Sequence, residues 1–323
     1  MADLFWIRST KHDVYYNQAL EEYLLEHCKK EQYILYLWQN QNTIVIGRNQ
    51  NCYKECRVNN FLKDGGQIAR RITGGGAVYH DLGNLNYSFI SNSDTCELDQ
   101  FASVIVTALN QMGLYPEITG RNDMIIEGKK FSGTAYYQKQ DRYLYHGTVM
   151  LNVDLDKMLQ YLSPPTQKFI SKGVDSIRAR VINLTQVMPE INTQNLENNM
   201  IQAFETIFNA SSVELEVKET IGHERFASKE WIFNRKSGFY QEFHKKFEWG
   251  DLNIKLQVEN GIITEAVLET DAMNSQMFLE MNQLFKNCPY ESTEISRRIT
   301  TNITNKNDEI INQIVQWINI LNL

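Results

Sequence analysis

Hydrophobic residues recur along this chain in two patterns, one at the spacing of an amphipathic helix and one at the spacing of a strand. After Asp13, a suitable N-cap, the apolar residues between positions 14 and 30 fall at helical spacing. Two apolar runs, 34–38 and 43–47, flank polar residues and predict a β-hairpin with Trp38 at its turn. Similar patterns predict helices at 52–63, 98–112, 154–162 and 194–208, and strands at 84–90, 124–126, 130–136 and 143–151.

The pattern changes near Phe247. Strands are predicted on either side of Asn260-Gly261, a dipeptide typical of tight hairpins, and helices are predicted at 275–287 and 308–321. We therefore expect two domains, residues 1–245 and 247–323, with a boundary within residues 244–249. The predicted fold class is α+β, with mixed, largely antiparallel sheets and flanking helices in the first domain and a small α+β domain after it.

Length and charge narrow the possible functions. The chain has 323 residues, more than one core usually holds, which agrees with two domains. Its net charge of −7 argues against a nucleic-acid partner, because binding a phosphate backbone needs a basic surface. We find no apolar stretch that approaches a membrane span and no signal-peptide pattern, so we expect a cytoplasmic protein with no membrane partner.

The five cysteines are an odd number without a CxxC pair, which is typical of free thiols in a reducing compartment. Cys52 and Cys56 could share a helix face, but no further Cys or His nearby completes a four-ligand zinc set. The sequence therefore disfavours a metal site at these two cysteines.

Residues 70–81 hold the candidate chemistry. A predicted strand carrying Arg70 and Arg71 leads into Gly74–Gly76 and then into His80-Asp81. Successive backbone N–H groups in a glycine turn can bind an anion, and arginine grips carboxylate or phosphate with a planar fork. The alternative is a strand that ends in a tight turn with solvated arginines.

A second candidate follows at residues 129–135. A lysine entering a strand before Ser132, Gly133, Thr134 and Ala135 can direct its ammonium into a cleft that these small residues leave open. Either Lys129 or Lys130 could instead be an ordinary surface lysine, since that is where lysines usually lie. In the same way, His80 and His146 could be core histidines bonded to a carbonyl, and Asp123 could cap a turn.

These residues resemble the motifs of a known family, the lipoate-protein ligase A family. The resemblance rests on Arg71-Ile-Thr-Gly-Gly-Gly-Ala-Val-Tyr-His80-Asp-Leu-Gly-Asn84, Gly120-Arg-Asn-Asp123, Lys130-Phe-Ser-Gly-Thr-Ala135 and His146-Gly-Thr148. It continues through segments 37–38, 45–48, 54–56, 176–181, 183–185 and 247–250. Each motif alone is weak, but together they cover nearly the whole chain in order.

The resemblance implies a catalytic domain of the biotin and lipoate ligase fold followed by an accessory domain. Such enzymes activate lipoate with ATP to lipoyl-adenylate, release pyrophosphate, and pass the lipoyl group to a lysine of a lipoyl domain. The implied co-substrate and ion are ATP and Mg²⁺. The implied partners are lipoate or octanoate and lipoyl-domain acceptors such as 2-oxo acid dehydrogenase acyltransferase subunits and the glycine cleavage H protein.

The resemblance also assigns roles to matching positions. Lys130 is the implied catalytic residue and would contact both nucleotide and lipoate. The implied nucleotide-binding residues are Arg71, Gly75, Gly76, Ala77, Val78, Tyr79, Asn122 and Asp123, with Asp123 also near Mg²⁺. The implied lipoate-binding residues are Trp38, Arg71, Thr73, His80, Lys130, His146 and Gly147. The basic loop 172–180 resembles a segment that orders over the adenylate.

Two rival functions stay open at this point. A transferase of the same fold would work through a cysteine thioester without ATP, and would need a thiol near the lysine. No cysteine lies between Cys96 and Cys288 in the sequence, which disfavours that mechanism. A degenerate relative could instead only bind lipoate or a carrier protein, although the intact Arg71, glycine run and Lys130 argue against it.

Overall fold

The computed structural model describes residues 3–48, 50–92, 98–119, 123–162, 179–233, 241–270, 275–303, 309–321 and 323. Contacts within the chain divide it into two compact units, Met1–Ser228 and Lys229–Leu323. The family-like motifs at 71–84, 123, 130–135 and 146–148 all fall in the first unit.

An eight-stranded mixed sheet forms the centre of the first unit. Its strand order is β11-β1-β2-β6-β10-β9-β8-β7, with parallel pairing of β1 to β11 and to β2 and antiparallel pairing elsewhere. The bounds are β1 Asp3–Arg8, β2 Gln32–Trp38, β6 Asn84–Asn92, β7 Glu117–Thr119, β8 Asp123–Ile126, β9 Lys129–Lys139, β10 Arg142–Met150 and β11 Ser212–Glu214.

The predicted hairpin of β2 with the next strand is wrong. Strand β3 (Thr43–Ile46) belongs to a separate three-stranded sheet, where it pairs in parallel with β4 (Gln67–Arg70) and antiparallel with β5 (Val78–His80). The chain leaves the large sheet at the residues taken as a turn, because Asn40 there is fully buried and bonded by its side chain rather than exposed. This crossing brings the glycine-rich segment beside the large sheet.

Helices cover the first unit's sheets. The predicted first helix is confirmed as α1 (Val14–His27), and Asp13 caps it by accepting a hydrogen bond from the Tyr16 N–H. The predicted helix at 52–63 is two short helices, separated at Cys56 by an isolated bridge to Leu162. The other helices are α2 Cys52–Glu55, α3 Val58–Lys63, α4 Leu98–Gln111, α5 Leu155–Tyr161, α6 Thr193–Phe208 and α7 Glu224–Ala227, with a 3-10 turn at Leu184–Gln186.

Alternation along β6 gives the large sheet two different faces. Leu85, Tyr87 and Phe89 join the main hydrophobic core with α4 and α6. The intervening Asn86 and Ser88 point to the opposite face, since successive strand residues alternate sides. That opposite face is polar yet buried, which marks it as the face that can hold a site.

The second unit is an antiparallel sheet with helices. Its order is β12-β13-β14-β15, and the predicted hairpin at Asn260-Gly261 is confirmed, with both residues at positive φ. Its elements are α8 Lys229–Phe233, β12 Gln241–Phe247, β13 Gly250–Glu259, β14 Ile262–Thr270, α9 Ser275–Phe285, β15 Cys288–Pro289, α10 Ser292–Asn302 and α11 Glu309–Leu321.

The observed division of the chain lies earlier than we predicted. The expected boundary at residues 244–249 falls within or just after β12, a strand that the sequence reading missed. Because β12 pairs along its length with β13, it belongs to the second unit, and contacts divide the chain after Ser228.

Within the described residues, no helix combines the length and the hydropathy that crossing a membrane requires.

Candidate active site

A cavity of about 250 Å³ opens between α1, the polar face of the large sheet and the glycine-rich segment. It combines buried polar side chains with one lysine and one aspartate. The residues around it include Gln18, Glu21, Trp38, Arg71, Gly75, Gly76, Ala77, Val78, His80, Asn86, Asp123, Lys130, His146 and Gly147. The structure therefore brings both sequence motifs, 70–81 and 129–135, to one place.

Arg71 holds the glycine-rich loop in shape. It is only 7% exposed, and burial lowers its pKa to about 10, a shift that the nearby Glu21 carboxylate opposes. Its guanidinium donates hydrogen bonds to the carbonyls of Val45, Gly74 and Gly76 and to the hydroxyl of Thr73. The sequence predicted that Arg71 contacts the ligand directly. In the structure, most of its N–H groups instead donate to the protein backbone.

Gly75 sits at the tightest point of this loop. Its φ is +90°, a conformation that L side chains rarely adopt, and an added Cβ would lie 2.7 Å from Arg71 Nη2. A Cβ added at Gly47 would lie 2.2 Å from the carbonyl oxygen of Gly75, which is a clash. Glycine at both positions lets the two loops approach each other.

Arg70 performs the same task for the neighbouring loop. It is 3% exposed, and its Nη1 donates to the carbonyls of Gly47, Arg48 and Gln50. The two adjacent arginines therefore organise two loops that meet at Gly75. Both side chains are buried, so the alternative interpretation of the sequence, in which the arginines are solvated, is wrong.

Lys130 is the cation that faces the cavity. Its Nζ lies 2.7 Å from Asp123 Oδ1, and both side chains are close to half exposed, at 42% and 45%. The lysine passes over Gly133, where an added Cβ would lie 3.0 Å from Nζ. Glycine at this position leaves room for the lysine side chain.

Backbone pairing fixes which lysine enters the cavity. The register of β8 with β9 shifts between Met124 and Ile125, and the backbone of Lys130 bonds on its other side to Arg180 and Ile182. Lys129 is displaced to a different surface pocket beside Val153. Because adjacent strand residues face opposite ways, the structure resolves the choice between the two lysines in favour of Lys130.

A buried hydrogen-bond chain connects the glycine-rich loop to the sheet and to α1. Thr73 Oγ1 lies 2.8 Å from His146 Nε2, and His146 Nδ1 lies 2.8 Å from Glu21 Oε1. Ser88 donates to the same Glu21 oxygen and accepts from the Trp38 indole N–H at 3.0 Å. Every group in this series of hydrogen bonds has a partner, so the bonds fix the positions of Thr73, His146 and Trp38 relative to one another.

His80 is held by a second buried set of bonds. Its Nδ1 lies 3.1 Å from Asn40 Nδ2, and Asn40 is in turn bonded to Asn17. Burial lowers the pKa of His80 to about 3, with further contributions from Arg71 and His146. His80 is therefore neutral at ordinary pH, and its ring is fixed beside the Trp38 indole, with centroids 6.3 Å apart.

Not every residue proposed from sequence reaches the cavity. The Tyr79 ring packs against Phe61 with a centroid distance of 6.2 Å, because it alternates with Val78 and His80 along β5. Asn122 and residues 172–178 of the basic loop lie outside the described residues. The roles predicted for these residues stay predictions.

Sequence reasoning missed three residues that line the cavity, Gln18, Glu21 and Asn86. It also missed Ser88, which bonds to Glu21 and Trp38. Gln18 and Glu21 look like ordinary polar positions of an amphipathic helix. The available signal was on β6, where asparagine and serine alternate with Leu85, Tyr87 and Phe89. That pattern usually indicates a solvated face, but here α1 covers it.

Comparisons with family models place the motifs in a known context. Residues 13–205 match the lipoyl protein ligase A/B catalytic domain, and residues 237–318 match the bacterial lipoate protein ligase C-terminus. The chain is 35% identical over 309 residues to a lipoate-protein ligase A of Blochmanniella floridana, covering 91% of both chains. It is 33% identical over 321 residues to one of Bdellovibrio bacteriovorus, covering 94% of both.

Solved structures give the same picture. P. falciparum LipL1 in complex with lipoate is 27% identical, with a TM-score of 0.63 and coverage of 98% of this chain and 99% of the other. The bi-partite lipoate protein ligase of Thermoplasma acidophilum, described with its E2 lipoyl domain, is 26% identical. Its TM-score is 0.66, and the match covers 74% of this chain and 100% of the other.

Proposed function

Because this chain belongs to the lipoyl protein ligase A/B family, we propose that it activates lipoate with ATP and transfers the lipoyl group to a lysine of an acceptor lipoyl domain. As a family member it is a ligase enzyme. The observation that carries the proposal is the half-exposed Lys130 beside the glycine loop in one cavity. The related proteins described with lipoate and with a lipoyl domain support the choice of substrate and acceptor.

In the first step the lipoate carboxylate oxygen attacks the α-phosphorus of ATP. The bond from that phosphorus to the bridging oxygen breaks, and pyrophosphate leaves with the electron pair. Both reacting groups are anions, so the barrier is largely charge repulsion, which a cation placed between them relieves. Lys130 is suited to this position because the structure gives it room over Gly133 and a single ion-pair partner, Asp123, within the described residues.

The glycine-rich loop suits the phosphates. Gly75 and Gly76 line the cavity without side chains, and Arg71 donates hydrogen bonds to the carbonyls of Gly74 and Gly76. With those carbonyls turned toward the guanidinium, backbone N–H groups of the loop are left to meet an anionic ligand. Arg71 would thus act mainly by shaping the nucleotide site.

The second step uses the activated mixed anhydride. The neutral amine of the acceptor lysine attacks the lipoyl carbonyl, AMP leaves with the electron pair of the broken C–O bond, and the amine loses one proton. Because the anhydride is already reactive, positioning the amine is the main task left to the protein.

The residues present fit Mg²⁺ bound with nucleotide. In the described part of the chain no three His, Cys, Asp or Glu residues form a metal cluster. Nucleotide-bound Mg²⁺, however, commonly uses one or two carboxylates and takes its other ligands from phosphates and water. Asp123 would be that carboxylate, and the ion would neutralise phosphate charge when bound.

The thioester alternative finds no support around the cavity. The described cysteines, Cys28, Cys52, Cys56 and Cys288, are all buried and do not line it. Burial raises the pKa of Cys28 to about 12, so that thiol is a poor nucleophile.

Pyrophosphate release on adding lipoate and ATP, together with the mass gain of an acceptor lipoyl domain, tests the proposal. We expect both signals, and each should require ATP. Release without mass gain would limit the enzyme to activation. Mass gain from a lipoyl thioester without ATP would instead identify a transferase.

A further inference from the structure

Cys52 and Cys56 form a buried pair of thiols that the proposed reaction does not use. Their Sγ atoms lie 3.8 Å apart, and each residue is 2% exposed. Cys52 begins the single-turn helix α2 and Cys56 follows its last residue, so the two thiols share the helix face that the sequence allowed them. In the described part of the chain no further ligand turns the pair into a metal cluster. The fold therefore holds two oxidisable groups in direct contact.

The backbone spacing at this pair suits a disulfide. Residues four apart in an α-helix have Cα atoms about 6 Å apart. Disulfides join Cα atoms that are roughly 4.4–6.8 Å apart. In the reduced protein the Cys56 thiol donates to the Cys52 carbonyl oxygen, with Sγ and oxygen 3.4 Å apart. Rotation of the two side chains can therefore join the sulfurs while the helical turn keeps its backbone.

Burial controls how an oxidant reaches the pair. The thiolate is the form that attacks a peroxide, and burial raises the pKa of Cys52 well above its ordinary value. The thiols therefore react from a locally opened state, in which α2 has separated from its surroundings. A single turn of four residues has little helix stability of its own, so this opening costs less than unfolding the whole first unit.

The segment that precedes α2 contacts the glycine-rich loop. Arg70 Nη1 donates to the carbonyls of Gly47 and Gln50, and Gln50 lies two residues before Cys52. Gly47 in turn packs against the Gly75 carbonyl without room for a Cβ. Opening α2 therefore pulls on a contact that shapes the glycine-rich loop. A ligand that holds this loop in place opposes the opening.

We infer that Cys52 and Cys56 are an oxidation site, where a hydroperoxide forms an intramolecular disulfide, and that bound ATP protects this site. The part that concerns ATP rests on the proposed function. One thiolate attacks a peroxide oxygen, which gives a sulfenic acid and releases an alcohol, or water from hydrogen peroxide. The second thiol then displaces water from the sulfenic acid. Two S–H bonds are lost and one S–S bond forms, and the two electrons and two protons reduce the O–O bond.

Peptide mapping of the full chain after treatment with hydrogen peroxide and alkylation of free thiols tests the site. Trypsin cuts after Lys54, between the two cysteines, so the disulfide joins peptides 49–54 and 55–57, which are separate in reduced protein. We expect this joined peptide to be the main oxidised cysteine product and dithiothreitol to separate it again. Absence of the joined peptide, with either cysteine converted to a sulfinic acid or left unchanged, would overturn the inference.

Cys28→Ser is the matched control. Cys28 is buried like the pair, but its Sγ donates to the carbonyls of Lys29 and Gln32. The joined peptide should therefore form within about twofold of the wild-type rate in this variant. Its loss there would route the oxidation through Cys28 and overturn the inference.

Cys56→Ser removes one thiol of the pair and keeps a hydroxyl that can donate to the Cys52 carbonyl, so it should fold, which thermal unfolding checks. Wild-type protein loses two hydrogen atoms on oxidation, and the mass of Cys56→Ser should show no such loss. A loss at the wild-type rate would assign the disulfide to other cysteines and overturn the inference.

The rate at which the joined peptide forms tests the protection by ATP, with Kd measured by calorimetry. If the open state does not bind ATP, the rate falls by the factor 1 + [ATP]/Kd, which is about elevenfold at ten times Kd. We expect slowing of at least about threefold under that condition. An unchanged rate in protein that binds ATP would overturn the protection. Protein that forms the disulfide but binds no ATP would instead contradict the proposed function and leave the oxidation site intact.

Discussion

The cavity has a charged end, Lys130 and Asp123, and a neutral end, Gln18, His80 and Asn86. The two ends differ in the exposure and the hydrogen bonding of their polar groups. At the charged end, Lys130 and Asp123 are close to half exposed and pair with each other. At the neutral end, Gln18, His80 and Asn86 are almost fully buried and hold polar atoms that have no hydrogen-bond partner among the described residues. Water can solvate the charged end before substrate binds, whereas only a ligand or a trapped water can satisfy the neutral end. Under the proposed function, the exposed charged end is suited to chemistry on anions, and the buried neutral end is suited to uncharged parts of a ligand.

Arg71 lines the same cavity but differs from the residues of both ends. Its guanidinium is buried like the neutral end and charged like the other, and its hydrogen bonds run to the loop itself. Under the proposed function, positive charge in this cavity has two separate uses, structural at Arg71 and chemical at Lys130. Substitutions at Lys130 and at Arg71 separate these uses.

The largest expected effect is at Lys130. Lys130→Ala should lower the rate of lipoyl-adenylate formation by about a thousandfold, since an electrostatic contact to the reacting anions is lost. Lys130→Arg should not restore activity, because a flat guanidinium cannot take the place of a point charge between two anions. Rapid-quench measurement of lipoyl-adenylate gives the rate, with Lys129→Ala as a control that should stay within about twofold.

Arg71→Lys should lower both stability and activity. A lysine cannot reach three carbonyls and the Thr73 hydroxyl at once, so buried acceptors lose their partner, at a cost of about 3 kcal/mol. Denaturant unfolding measures this cost. The exposed Arg225, paired with Glu22, is the control, and Arg225→Lys should cost less than about 1 kcal/mol. Unchanged stability in Arg71→Lys would mean that its charge serves the ligand directly.

Gly75→Ala should disturb the loop without removing a charge. The added methyl meets Arg71 Nη2 in a backbone conformation with φ of +90°, and we expect kcat/KM for ATP to fall about tenfold. Gly74→Ala is the matched control, because an added Cβ there has no heavy atom within 4 Å. Similar kinetics for the two variants would show that the loop tolerates repacking.

His80 should impose a pH dependence on folding. Its folded pKa is about 3, below the ordinary value of 6.5, so between these values the unfolded chain binds a proton that the folded chain does not. Stability from this group therefore falls as pH drops from about 6.5 toward 3, by up to about 1.4 kcal/mol per pH unit. Urea unfolding at several pH values should show a shallower slope in His80→Gln; an identical slope would place the charged form of His80 within the folded protein.

The smallest effect is expected from the cysteines. Replacing all five with serine or alanine should change kcat by less than about threefold in protein shown to be folded, although stability can fall at buried positions. None of the described cysteines lines either end of the cavity. A lipoyl thioester trapped on any cysteine of the wild-type chain would assign the chemistry to a thiol.

Local sequence signals predicted much of the fold. The Asp13 cap, the Asn260-Gly261 turn and the alternating strands of the large sheet act over a few residues, and the structure confirms each. The pairing of β3 was not predictable, because strand patterns do not reveal which strands become neighbours. The polar residues around Asn40 were predicted to form an exposed turn. Their burial depends on contacts with Asn17 and His80, which are distant in the sequence.

The residues of the site also differ in whether the sequence alone could identify them. Short sequence motifs contain Arg71, the glycines, His80 and Lys130, so the sequence alone identifies these residues as candidates. Glu21, Ser88 and Asn86 become part of the site only where α1 packs against β6, so their roles depend on contacts between distant segments. The burial of Arg71 beneath the loop likewise depends on β3, whose Val45 carbonyl accepts one of its hydrogen bonds.

Lipoate-dependent exchange of labelled pyrophosphate into ATP tests the central claim most directly, because it reports reversible adenylate formation without any acceptor protein. We predict exchange in wild-type protein and in Lys129→Ala, with no exchange when lipoate is omitted and almost none in Lys130→Ala. Absence of exchange in wild-type protein that binds lipoate and ATP, or full exchange in Lys130→Ala, would contradict the account.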